Sequence, residues 1–294
     1  MSDPAAPTAL RGRAEGLAGA LPPLLAEAEH LAASVMLGEH GRRRAGLGDE
    51  FWQYRAAHAG DEARMIDWRR SARSDAHYVR EKEWQAAQSV VFWVDGARSM
   101  AFSGDARARP DKGDRARLIA LALAVLLVRA GERVGLTGSA LPPRSGQLQL
   151  LRLAQAMAAE AAADYGTPDA SVLPHHGRAV FVSDFLGDPA SIEAALTRAA
   201  DHGVKGALLQ VLDPVEESFP FDGRTIFESM TGALRHETLR AGDLRSRYLD
   251  RLAERKDRLA VLARATGWQY LCHHTGQPAL TALLWLYQAL ERTR

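Results

Sequence analysis

Two short segments of the sequence place a carboxylate directly after an apolar run. Asp95 follows Val90–Val94, and Asp184 follows Ala179–Ser183, whose sequence is AVFVS. A hydroxyl, that of Ser99, lies four residues beyond the first carboxylate. Carboxylate and hydroxyl oxygens are hard ligands of the kind that bind Mg²⁺. The alternative for Asp95 is structural, with its carboxylate capping the loop or helix that follows.

Both apolar runs predict strands of a parallel sheet. They are continuous and contain no proline, which is typical of strands covered on both faces. In open α/β sheets, ligands bind outside the carboxyl ends of the parallel strands. We therefore expect Asp95 and Asp184 to be neighbours at one edge of the sheet.

Strand and helix patterns alternate from residue 89 to the end of the chain. This alternation predicts an α/β fold with a doubly wound, mostly parallel sheet and Rossmann-type layering. The further predicted strands are Arg133–Thr137, Ala207–Leu212 and Trp268–His273. The predicted helices are Arg115–Ala130 with Asp114 as N-cap, Leu148–Ala163, Pro189–His202, Asp243–Thr266 and Pro278–Glu291.

Late in the chain, two short runs flank a turn at Gly232. These runs, Arg224–Glu228 and Leu234–Arg240, predict a β-hairpin near residues 224–240.

The first part of the chain predicts an extension, residues 1–84, packed on an α/β domain of residues 85–294. An amphipathic helix is predicted over Leu17–Leu37, where Leu and Ala recur at helical spacing. Residues 48–83 crowd aromatic rings among arginines and acids, which predicts a network of ion pairs and Arg–aromatic stacking. Tyr78–Glu83 predicts an edge strand.

Composition restricts the class of protein and its partners. The 294 residues include 37 Lys and Arg against 36 Asp and Glu, a formal net charge of +1. This balance argues against nucleic acid or an anionic membrane as the partner, although Arg42–Arg44 and Arg69–Arg73 form basic clusters. The single cysteine, Cys272, indicates a reducing compartment. The apolar run Leu118–Val128 is shorter than the ~20 residues of a membrane span. We expect a cytoplasmic protein.

A long motif in the first part of the chain points to a family. The sequence GDEARMIDW at 60–68, followed by SAR at 71–73, resembles the MoxR-associated domain-of-unknown-function (DUF) family fifty-eight. The segment GDEF at 48–51, Tyr54–Arg55 and the run Glu83–Ser99 extend the resemblance to about residues 38–290. The signature residues, structural or docking in role, are Asp61, Arg64, Asp67, Trp68, Ser71 and Arg73. Of these, Asp61, Arg64, Trp68 and Ser71 recur at spacings of three and four and would share a helical face.

The loops VDGARS and VSDF also resemble those of von Willebrand factor A domains. In those domains a DxSxS loop, a Thr and a further Asp form a metal-ion-dependent adhesion site. The resemblance implies that Asp95, Ser99, Thr167 and Asp184 are the metal ligands. Ala97 replaces the first Ser of the pattern, so one hydroxyl ligand is missing and the site is degenerate. A weakly bound Mg²⁺ is the one cofactor that this pattern allows.

The resemblance implies a non-enzymatic protein-interaction module. Members of the family are linked to MoxR-type AAA+ ATPases as partners or adaptors in chaperone-like assembly. The strand-end carboxylates would present either a metal for a partner's carboxylate or a bare acidic surface for a partner's Arg or Lys.

The alternative is a metal-dependent hydrolase whose strand-end aspartates activate water. The sequence has no GxSxG, Walker or HExxH motif, and no base is identifiable for Ser99. The pairs His175–His176 and His273–His274 are either ligands of a transition metal or ordinary loop residues.

Overall fold

The computed structural model describes residues 23–38, 51–57, 66–72, 77–82, 88–139, 142–159, 163–170, 173–229, 232 and 235–292. The chain divides into two compact units, one formed by residues 1–38 with 88–294 and the other by residues 39–87. The predicted division lay after residue 84. Helix α1 (Pro23–Gly38) packs within the larger unit.

The smaller unit contains an antiparallel pair of strands. Strand β1 (Phe51–Ala56) pairs with β2 (Tyr78–Lys82), and the short helix α2 (Trp68–Ser71) lies between them in sequence. The predicted strand at Tyr78 is present, but its partner β1 was not predicted. Ser71 is buried and links α2 to β2, since its Oγ accepts from the backbone N–H of Tyr78 at 2.9 Å.

The larger unit holds the remaining strands and helices. Its strands are β3 (Ser89–Val94), β4 (Arg133–Leu136), β5 (Arg178–Ser183), β6 (Lys205–Leu212), β7 (Thr225–Glu228), β8 (Arg235–Thr238) and β9 (Gln269–His274). Its helices are α3 (Lys112–Arg129), α4 (Gln147–Met157), α5 (Pro189–Asp201), α6 (Pro214–Ser218), α7 (Arg245–Thr266) and α8 (Ala279–Arg292).

Five of these strands form one parallel sheet in the order β4-β3-β5-β6-β9. The prediction of a mostly parallel α/β sheet is confirmed. Strands β7 and β8 form the predicted hairpin as a separate antiparallel pair.

Apolar side chains cover both faces of the sheet, as doubly wound layering requires. On one face, Val90 and Phe92 pack with α1, α3, α4 and α8. On the other, Val91 and Trp93 pack with α5 and α7. Neighbouring residues of β3 thus face opposite layers, which explains why the strand is apolar without alternation. Among the described helices, none has the length and apolar composition needed to cross a bilayer.

Several predicted boundaries were wrong. Helix α3 begins at Lys112 because Asp111 is its N-cap, and the Asp111 side chain accepts from the backbone N–H of Asp114. Asp111 and Asp114 are both suitable N-cap residues, and the predicted N-cap was Asp114. Helix α4 ends at Met157 and not at Ala163, and the short helix α6 was not predicted.

The variant Phe92→Ala tests the central position of β3 in the sheet. The Phe92 side chain is fully buried, so we expect Phe92→Ala to lower the free energy of unfolding by about 3–5 kcal/mol through lost burial and a cavity. The measurement is urea unfolding followed by circular dichroism. Leu239→Ala, at a position that is 73% exposed, is the control and should change stability by less than about 0.5 kcal/mol. Equal losses in the two variants would contradict the central placement of β3.

Candidate functional site

Two strand-end carboxylates meet at the carboxyl edge of the sheet. Strands β3 and β5 are adjacent and parallel, with Val94 opposite Val182. Asp95 and Asp184 therefore emerge side by side, as expected, and both are almost fully buried. Burial raises the pKa of Asp95, and the negative charge of Asp184 contributes to the increase.

Asp95 joins three loops of this edge. Its Oδ1 accepts from the backbone N–H of Ala97 at 2.8 Å, and its Oδ2 accepts from Ser183 Oγ at 2.7 Å. The backbone N–H of Gly166 donates to the same carboxylate. A Cβ atom at Gly166 would lie 2.2 Å from Asp95 Oδ1, so only glycine permits this approach. The Asp95 carboxylate therefore links the end of β5 with the segments at Ala97 and Gly166.

Asp184 is paired with an ammonium group from the same chain. Lys112 Nζ lies 2.9 Å from Asp184 Oδ2 and 2.6 Å from Glu216 Oε1, and the Lys112 side chain is 1% exposed. Burial acts to lower the pKa of Lys112, but the two carboxylates raise it above the usual 10.5. The lysine is therefore a permanent cation at neutral pH.

Glu216 connects this ion pair to the end of β6. Its Oε2 accepts from the backbone N–H of Asp213 at 2.8 Å, while the Asp213 side chain accepts from Val215 in the first turn of α6. This reciprocal arrangement is a capping box. Burial raises the pKa of Glu216, and Lys112 opposes that increase. One ammonium thus holds the ends of β5 and β6 and the first residue of α3 together.

The predicted metal ligands do not fit a divalent cation. The structure brings Asp95, Ser99 and Asp184 together, but Thr167 is exposed and makes no hydrogen bond within the described residues. Ala97 supplies no hydroxyl. Protein donors already contact both oxygens of Asp95, and the ammonium of Lys112 lies against Asp184.

A cleft of about 190 Å³ opens beside the ion pair. Its charged and polar lining consists of Ser99, Lys112, Asp164, Tyr165, Asp184, Glu216, Glu228 and Ser229. Four carboxylates therefore face one ammonium. Ser99 is nine-tenths buried, and its Oγ has no hydrogen-bond partner in the described part of the chain. Tyr165 is 44% exposed.

Part of the family signature lies in the smaller unit. Ser71 donates to the backbone carbonyl of Asp67, and Trp68 is 57% exposed with its ring edge-on to His77. The other three signature positions, Asp61, Arg64 and Arg73, lie outside the described residues. The helix spans only Trp68–Ser71, and Ile66 before it lies in a β-bridge. The prediction of one helical face from Asp61 to Ser71 was therefore wrong.

The histidine pairs lie elsewhere in the larger unit. His175 stacks on His202 at 4.5 Å between ring centroids. His273 and His274 both belong to β9, so this pair does not lie in a loop, and the predicted end of the strand was one residue short. Burial, with help from the nearby Arg115 guanidinium, lowers the pKa of His273 to about 4.

The sequence prediction missed Lys112 and Glu216, the two residues that complete the ion pair. Glu216 had a readable signal, because the pattern Asp213-Pro-Val-Glu216 after a strand is typical of a capping box. No pattern in the sequence indicated that Lys112 is buried, since a lysine in a polar, proline-containing segment is usually solvated.

The chain matches the sequence profile of the family described as "Protein of unknown function DUF58" over residues 53–258. It belongs to this family. Uncharacterized proteins from Mycobacterium tuberculosis and Mycobacterium bovis are 28% identical to this chain over 239 residues, which cover 76% of this chain and 74% of each relative.

Two solved structures are similar to this DUF58 chain at low identity. A conserved hypothetical protein, BatB from Bacteroides thetaiotaomicron, has a TM-score of 0.43 and 15% identity and covers 70% of this chain and 98% of its own. An aerotolerance-related membrane protein from Bacteroides fragilis has a TM-score of 0.41 and 16% identity and covers 70% of this chain and all of its own. Neither similarity carries an argument about function.

The variant Lys112→Met tests the ion pair. Because Asp184 and Glu216 would stay buried without a cation, we expect the free energy of unfolding to fall by about 3–5 kcal/mol near neutral pH. Unpaired buried carboxyls have raised pKa values, so their penalty is present at high pH and disappears as they protonate. The loss should therefore be smaller at about pH 5 than at about pH 7, measured by urea unfolding at both values.

The control for this variant is Lys205→Met, at the exposed start of β6. It should change stability by less than about 0.5 kcal/mol at either pH. A loss in Lys112→Met that is independent of pH, or equal to that of the control, would contradict the buried pair.

Proposed function

We propose that this protein is a non-enzymatic interaction module of the von Willebrand factor A type, and that its partner is a MoxR-type AAA+ ATPase in chaperone-like assembly. The observation that carries the proposal is the Lys112 ammonium in the acidic cleft. In this proposal the lysine takes the position that a divalent cation holds in a metal-ion-dependent adhesion site. The partner then contributes a cationic side chain and not a carboxylate.

The charge of the cleft supports this choice of partner chemistry. In an adhesion site, the metal has an open coordination position for a carboxylate. Here Asp184 and Glu216 already neutralise the ammonium of Lys112 at 2.9 and 2.6 Å. Asp164 and Glu228 also line the cleft, so its lining contains four carboxylates and one ammonium. Such a site favours a cation and disfavours an anion.

An arginine suits the remaining features of the lining. Its planar guanidinium donates in a fork that matches carboxylates, and it stacks on aromatic faces. Glu228 and Asp164 supply the carboxylates, and Tyr165 is an exposed ring beside them. Ser99 also lines the cleft, and its Oγ, which has no hydrogen-bond partner among the described residues, can accept from a donor.

The hydrolase alternative has less support. Water activation by strand-end aspartates needs a metal or a free base. The oxygens of Asp95 are engaged by protein donors, and Asp184 is paired with Lys112.

A double variant tests the proposed contact. Asp164→Asn with Glu228→Gln removes two cleft charges with little change of shape. We expect the purified full-length protein to bind a purified MoxR-type ATPase of its own organism at least about tenfold more weakly, a loss of about 1.4 kcal/mol. Binding of the unmodified protein should also weaken with added salt, because the contact is between opposite charges. Surface plasmon resonance measures both effects.

The matched control is Glu254→Gln, which removes an exposed carboxylate from α7. It should leave the affinity unchanged. The proposal fails if the unmodified protein does not bind the ATPase, or if the cleft variant binds as well as the control.

A further inference from the structure

A second cluster of ligand-type side chains lies outside the cleft, on strand β9. Cys272 and His274 are two residues apart on this strand and therefore point to the same face of the sheet. Glu217 approaches them from α6. One sulfur, one imidazole nitrogen and one carboxylate oxygen from these residues all lie within 4.8 Å of one another.

In this cluster, His274 lies against Glu217. Its Nε2 lies 2.7 Å from Glu217 Oε2. The nitrogen is nevertheless buried and makes no hydrogen bond with any described residue. The imidazole of His274 and the carboxylate of Glu217 therefore converge beside the Cys272 thiol.

We propose that Cys272, His274 and Glu217 form a binding site for a zinc-type transition-metal ion. Thiolate, imidazole and carboxylate are the three ligand types that bind Zn²⁺ in proteins. Tetrahedral zinc with these bond lengths places its ligand atoms roughly 3.3–3.8 Å apart, so modest side-chain rotations close the site. Three protein ligands leave one position for water. The site is independent of the partner contact proposed above.

Lys256 is the competing cation. Its ammonium pairs with Glu217 and also hydrogen-bonds the Cys272 thiol. Lys256 lies on α7, and its side chain is 27% exposed, so it can turn to solvent when a metal ion replaces it. On binding, the S–H bond of Cys272 breaks, a sulfur–metal bond forms, and the proton passes to water.

The test is metal binding to the full-length protein. Competition against a chromophoric chelator should show one Zn²⁺ per chain, and Co²⁺ should give the thiolate-to-metal charge-transfer absorption. Cys272→Ser should abolish that absorption. Cys272→Ser and His274→Gln should each weaken Zn²⁺ binding at least about tenfold, which is the effect typical of losing a ligand or its support. Lys256→Met should strengthen binding, because the competing charge is removed.

The matched control is His236→Gln, which removes an exposed histidine of β8 and should leave binding unchanged. Circular dichroism checks that each variant is folded. The proposal is overturned by the absence of stoichiometric binding, by unchanged binding in Cys272→Ser, or by equal losses in His274→Gln and His236→Gln. A Lys256→Met variant that binds no more tightly also contradicts it.

Discussion

A buried lysine paired with two carboxylates is the constraint on which the carboxyl edge of this protein depends. Removing an ammonium and two carboxylates from water costs several kcal/mol for each ion, and only close pairing offsets that cost. Lys112 is also the first residue of α3, where the helix dipole disfavours a cation. Both Asp184 and Glu216 are therefore needed to stabilise the buried ammonium of Lys112. Asp184 follows β5 and Glu216 follows β6. Their pairing with Lys112 therefore holds the segments after these two strands against the start of α3.

This arrangement changes what the edge of the sheet can recognise. A bound metal ion can leave, and it offers open positions to a carboxylate. A lysine of the chain is permanently present and is already neutralised by its own partners. Asp164 and Glu228 also line the cleft beside it. The proposed function therefore joins this acidic cleft to a partner that contributes a cationic side chain. Asp95, by contrast, organises the loops and faces donors of its own chain.

The sequence predicted the features that local patterns encode. Continuous apolar runs located β3 and β5, and the rule for parallel strands then placed Asp95 and Asp184 together. The sequence did not predict that Lys112 is buried, because the burial of a lysine depends on which carboxylates the tertiary fold brings to it. The end of α4 was missed for a similar reason. The alanine-rich composition favours helix beyond Met157, but Ala158 is the C-cap of α4, and Asp164 O accepts from the backbone N–H of Ser99. Strand β1 was hidden by an aromatic and charged composition that has no alternation.

The central claim is that the ammonium of Lys112 holds the position of a divalent cation. A high-resolution crystal structure of the unmodified protein, grown in the presence of Mg²⁺, tests it most directly. We predict density for Lys112 Nζ between Asp184 and Glu216, with no ion in contact with Asp95 or Ser99. A Mg²⁺ ion coordinated by Asp95, Ser99 and Asp184, with the lysine turned away, would contradict the account.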